Sequence, residues 1–308
     1  MTYARRSLPA LALLLTATLL AALGAIATPA SATPPSERGN ASPPPERGDA
    51  TPASERDDDT GPEWADPGEA TITPGVQMVT EGGQCTANFI FTDGSEVFIG
   101  YAAHCAGTGG ATTTDGCEAE SLPTGKTEVD IEGASEPGTL AYSSWETMDD
   151  VEEQHADTCG FNDFALVAID PADHDKVNPT IPFWGGPDAL GATSSFGEKV
   201  YTYGNSSLRL GIELLSPKEG YSLGQNADGW SHTVYTATPG IPGDSGSAVL
   251  DHQGNALGSV STVAIAPLAG SNGVTDLALA LEYANENGDV NAELAEGTEP
   301  FAGGLILP

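Results

Sequence analysis

The sequence predicts an all-β protein. It has 38 glycines among 308 residues, a modest 6% aromatic content, and short β-branched runs that alternate with turn residues. With the first quarter of the chain set aside, about 235 residues remain, enough for one large domain or two small lobes sharing a cleft.

Arg5 and Arg6 precede an uncharged stretch that reaches Ser36, with its apolar core at residues 8–26. Pro9 and Gly24 interrupt that core, and Ala30-Ser31-Ala32 supplies small residues at the spacing a signal peptidase accepts. Residues 1–32 therefore read as a signal peptide, and the protein as secreted, with no stable membrane association once the signal is cleaved. Residues 33–59 form three nine-residue units, TPPSERGNA, SPPPERGDA and TPASERDDD, each with a Glu-Arg pair at the same offset. Segments so rich in Pro and Ser cannot bury a core, so residues 33–70 read as a disordered linker or pro-segment and residues 71–308 as the folded domain.

The net charge is −34, and from residue 71 onward 34 Asp and Glu face five Lys and Arg: Lys126, Lys176, Lys199, Arg209 and Lys218. Nucleic acid is excluded as a partner, because phosphate binding needs a basic face. The acidic run 146–153 lacks the alternating ligand pattern of a calcium loop and reads as a solvated loop. The four cysteines are Cys85, Cys105, Cys117 and Cys159; an even count in an exported chain favours disulfides, with three connectivities open. No C-x-x-C pair exists, so a zinc site is not expected; no other metal and no cofactor is expected either.

The first informative stretch is FIFTDGSEVFIGYAAHC. Residues 89–91 and 97–101 are β-prone runs around an Asp-Gly turn, which places His104 just past the end of a strand. In the second, PGIPGDSGSAVLDHQGNALGSVSTVAI, glycines 240, 243 and 246 surround Ser245. Such a turn can aim the N–H groups of Gly243 and Ser245 at one point, as an oxyanion requires. Strands are predicted at Ala248–Leu250 and Ala256–Ala264. A serine hydroxyl needs a base, and the base needs an orienting acid. Asp163 opens the apolar run 164–169 and suits that role better than Asp170, which precedes Pro171. Residues 277–287 carry apolar side chains at 277, 281 and 284 between Asp276 as N-cap and Gly288, and read as a helix. The tail from Asn291 onward shows no clear pattern.

In the order His, Asp, Ser, the motifs A-A-H-C, D-F-A-L-V and G-D-S-G-S resemble those of the chymotrypsin/trypsin-like serine peptidases, most closely the secreted bacterial type. The resemblance spans about residues 74–287 and implies two packed antiparallel β-barrels with a short C-terminal helix. The barrels would occupy about residues 75–187 and 188–290, with His104 and Asp163 on the first and Ser245 on the second. It implies a serine-type endopeptidase that cleaves peptide bonds through an acyl-enzyme, with His104, Asp163 and Ser245 catalytic and the Gly243 and Ser245 N–H groups as oxyanion hole. It also pairs Cys85 with Cys105, the bridge beside the family's histidine, and so leaves Cys117 with Cys159.

Ser247 stands where the family usually has a second glycine, and the Ile-Val-Gly-Gly start, whose freed ammonium pairs with the aspartate before the serine, is missing. Asp244 then needs another cation if buried, and Arg209 is the candidate. The implied substrate-binding residues are Pro239, Ser261, Thr262 and Val263. Pro239 stands where trypsin-like members carry an acid, which argues against cleavage after Lys or Arg; Val263 replaces a usual glycine and favours small aliphatic side chains. His155, His174, His232 and His252 lie in polar segments and are expected on the surface. Protein or peptide substrates and a monomer follow. The alternative is a catalytically inactive binding or adhesion module, and a third reading is an ester hydrolase.

Overall fold

The structure, a computed structural model, describes residues 62–81, 83–108, 115–264 and 269–303. The predicted signal peptide and the nine-residue repeats lie outside them. The described strands are β1 (Gln77–Thr80), β2 (Gly83–Thr86), β3 (Ile90–Asp93), β4 (Glu96–Tyr101), β5 (Glu128–Ile131), β6 (Gly138–Ser143) and β7 (Ala165–Ala168) in a first lobe. The second lobe holds β8 (Lys199–Tyr203), β9 (Pro217–Asn226), β10 (Ser231–Thr236), β11 (Ala248–Leu250), β12 (Ala256–Ala264) and β13 (Ser271–Asp276), and β14 (Glu293–Leu294) follows. The helices are α1 (Ser144–Asp150), α2 (Ala156–Phe161) and α3 (Leu277–Asn287). β8–β13 close into a six-stranded barrel in the order β10-β13-β12-β11-β8-β9, and the first lobe is an eight-stranded sheet in the order β14-β3-β4-β7-β6-β5-β1-β2. Every pairing between named strands is antiparallel. This mostly-β, two-lobed architecture fits the predicted fold class, and α3 has the predicted bounds, with Asp276 accepting from Leu279 N.

Strand alternation explains why the apolar runs are continuous. In β3, β4 and β7, Ile90, Ile99 and Val167 point into the first-lobe core, while Phe91, Phe98 and Leu166 point the other way. That second face packs on Tyr201, Ala248, Leu250 and the Leu277, Leu281 and Ala284 face of α3. Both faces are buried, so both must be apolar. The barrel interior is small and filled by Val200, Val234, Val249, Leu257, Val260 and Val274.

Three segments differ from expectation. The acidic run is mostly helical: α1 carries Glu146, Asp149 and Asp150 outward because Trp145 and Met148, three residues apart, are buried on its other face. Residues 62–70, read as linker, lie against the domain, with Trp64 packed on the first core, Ala65 N bonded to Val177 O and Asn178 Nδ2 to Ala65 O. The patternless tail returns to the first lobe, where β14 pairs with β3 and Thr298 bonds to Asn178 and Thr180. Two residues of ladder are too short to leave a periodic signal.

Candidate active site

The pairing of β4 with β7 brings His104 and Asp163 together. Tyr101 lies opposite Ala165, so the chain leaving β4 and the chain entering β7 share one end of the sheet. A short 3₁₀ turn, Ala103–Ala106, then carries His104. Its Nδ1 lies 2.7 Å from Asp163 Oδ2, and its backbone N–H donates to Oδ1 at 2.8 Å. That bond places the proton on Nδ1 and leaves Nε2 as the free acceptor. Ser261 Oγ also donates to Asp163 Oδ2, at 2.5 Å. It is freed to do so by a register shift in β12 between Val260 and Thr262.

Burial raises the Asp163 pKa, but the charge and hydrogen bond of His104 and the Ser261 bond outweigh it, and the carboxyl is held below its usual range. For His104, burial lowers the pKa while the charge and hydrogen bond of Asp163 raise it, and the net shift is upward.

Ser245 lies on the turn before β11. Gly243 and Gly246 have φ of +97° and +87°, where an L side chain is strained. A Cβ on Gly246 would stand 2.5 Å from Thr86 O and 2.9 Å from Ala102 N, so the turn approaches the first lobe as closely as backbone allows. Thr86 N donates to Ser245 O at 2.8 Å, and Thr86 Oγ1 to Gly243 O at 2.7 Å. Cys85, next to Thr86, is disulfide-bonded to Cys105, next to His104. One short covalent and hydrogen-bonded path thus ties the serine turn to the histidine turn. The second bridge joins Cys117 and Cys159. Ser245 is half-buried, and among the described residues no hydrogen bond joins its Oγ to His104. Asp244 N and Gly246 N have acceptors in Ile241 O and Val260 O, whereas the Gly243 and Ser245 N–H groups have none among the described residues. Ser247, in place of glycine, donates from Oγ to Asp244 O at 2.6 Å and is fully buried.

Asp244 is bound by Arg209, as the sequence suggests, and also by Lys218, which sequence reasoning missed. Its visible signal was scarcity: five cations in the domain make each a candidate for a buried carboxylate. A second missed residue is Asn272. Its Oδ1 accepts from Gly240 N at 3.0 Å and its Nδ2 donates to Thr262 O at 3.1 Å, so a buried amide bridges the segment before Ser245 to β12. Of the implied substrate-binding residues, Pro239 and Val263 are exposed and Ser261 and Thr262 half-buried. His232 is not on the surface: it is fully buried, with Nε2 2.8 Å from Asp276 Oδ2 and Nδ1 2.9 Å from Ser194 Oγ. Those partners lie dozens of residues away, so its polar neighbours in sequence gave no sign of them. His155 and His252 are exposed and His174 half-buried.

No family model and no curated protein matches this chain. Among solved structures it is similar to Thermobifida fusca Protease A, at 19% identity over 74% of this chain and 100% of that one, with a TM-score of 0.47. It is similar to a glutamic-acid-specific serine protease described as using a histidine triad in substrate binding, at 18% identity over 68% and 96%, TM-score 0.46. It is also similar to Cellulomonas bogoriensis chymotrypsin, at 16% identity over 73% and 98%, TM-score 0.44.

Proposed function

We propose that this chain is a secreted serine endopeptidase. Ser245 attacks the peptide carbonyl, and His104 Nε2 takes its proton and returns it to the leaving amine. Asp163 holds the Nδ1–H tautomer and stabilises the imidazolium. The free Gly243 and Ser245 N–H groups receive the oxyanion, and water then hydrolyses the acyl-enzyme. The observation that carries this reading is the double anchoring of His104 on one buried carboxylate, beside a serine turn held to the same loop by Thr86 and the Cys85–Cys105 bridge. The absent Ser245–His104 bond is compatible with it, since such bonds are often long before substrate arrives. Two disulfides accord with an oxidising compartment, and no helix among the described residues is long and apolar enough to cross a membrane. Small aliphatic side chains are the proposed preference on the acyl side of the scissile bond. In support, the buried Asn272 amide ties residue 240 to β12.

Covalent labelling with a fluorophosphonate, followed by peptide mapping, tests the chemistry. The expected result is modification at Ser245 only, abolished in His104→Ala. Folded protein that takes up no label would overturn the reading in favour of a binding module. On a peptide panel, Ala or Val on the acyl side should be turned over faster than Phe or Tyr; the reverse order removes the proposed preference.

A further inference from the structure

Asp244 lies between the two residues whose N–H groups are free, and it accepts from two cations at once. Lys218 Nζ reaches Oδ2 at 2.7 Å; Arg209 Nη2 donates to the same oxygen, and its Nε reaches Oδ1 at 3.4 Å. Ile241 N and Ser206 N complete the set at 3.1 and 3.2 Å. All three charged residues are buried, with exposures of 1% for Asp244, 6% for Lys218 and 9% for Arg209. Among the described residues neither cation bonds to another carboxylate. The cluster therefore holds one negative and two positive charges, a local surplus of +1 in a chain whose net charge is −34.

The second cation is not needed to satisfy Asp244, because the Arg209 fork and two backbone N–H groups already serve both oxygens. Burying it is unfavourable. Burial lowers the Lys218 pKa and Arg209 repels the ammonium, and together they outweigh the pull of Asp244. A group retained against such a cost calls for a use, and its surroundings suggest one. Where a negative charge forms at the Gly243 and Ser245 N–H pair, a fixed positive surplus behind the turn stabilises it without reorganisation.

We infer that Lys218 is a positioning residue that acts through Asp244 and the serine turn, supplying the surplus positive field that favours the tetrahedral oxyanion over the neutral substrate. This rests on the serine-peptidase reading. The test compares Lys218→Met and Lys218→Arg with wild type in the complete chain, measuring kcat, KM, affinity for a peptide boronic acid whose serine adduct is an anion, and Tm. Lys218→Met should lower kcat about tenfold and boronate affinity by a similar factor, with KM within about twofold. Its Tm should stay level or rise, because a buried charge has been replaced by an apolar chain of similar length. Lys218→Arg should restore most of kcat and of boronate affinity. A Met variant with wild-type kcat and boronate affinity overturns the inference, as does a loss that Arg fails to restore. Wild-type labelling at Ser245 is scored separately: an inert wild type sinks both readings, whereas an active wild type indifferent to Lys218 sinks this one alone.

Discussion

His104 sits between opposing influences, and which one wins has a measurable sign. Burial disfavours the imidazolium, but Asp163 favours it more, so the pKa rises above its ordinary 6.5. A raised histidine pKa adds stability that is complete below the unfolded value and is lost as pH climbs through the folded one. In the proposed mechanism catalysis runs the opposite way, because the base must be neutral. The acid limb of kcat/KM should therefore lie above pH 6.5. Asp163→Asn should move that limb to lower pH while cutting the rate by about 10⁴-fold, as loss of the orienting acid does in such triads. A pH–rate profile of both proteins checks this, and an unmoved limb would exclude Asp163 as the source of the shift. At this scale the sequence was partly legible. His104 and Asp163 stood beside strand-forming runs, and the need of Asp244 for a cation pointed to Arg209. Asn272 and the buried partners of His232 were not legible, because each depends on a residue remote in sequence, and Lys218 was marked only by the scarcity of cations.

Strands β11 and β12 begin and end at the residues expected, and the β3–β4 hairpin turns at its Asp-Gly within a residue or two. These elements are bounded by turn residues with strong local preferences. Elements bounded by tertiary contact were not legible, α1 and β14 among them. The β12–β13 pair offers a test of specificity at the same scale. Val263 faces Asn272 across the ladder, and the Asn272 amide straps β12 to residue 240. Asn272→Ala should release that strap and open the space between them. The ratio of kcat/KM for Leu over Ala on the acyl side should then rise about tenfold, within the range that one or two methylenes command. An unchanged ratio would mean that Asn272 does not set the depth of that space.

The two lobes are built from a chain that crosses between them twice, since β14 leaves the barrel side and returns to β3. Thr180 secures that return: itself buried, it accepts at Oγ1 from Thr298 N at 2.9 Å and Glu299 N at 3.2 Å, two exposed residues of the tail. Thr180→Val removes that acceptor and should destabilise by about 0.5–1.5 kcal/mol, because water can reach the freed N–H groups of the exposed tail residues. For a domain of this size that lowers Tm by about 2–4 °C per kcal/mol, read by thermal melting. No change would show that the tail contributes little to the native state.

The same return has a kinetic side. Thr92 waits for Glu293, its partner across the β3–β14 ladder, until nearly the whole domain sequence has been made. Until β14 docks, the β3 edge of the first lobe is uncovered. Closure over so long a separation is entropically slow. An uncovered edge is also open to pairing with other chains. The first lobe is thus expected to be most exposed to aggregation in the interval before β14 docks.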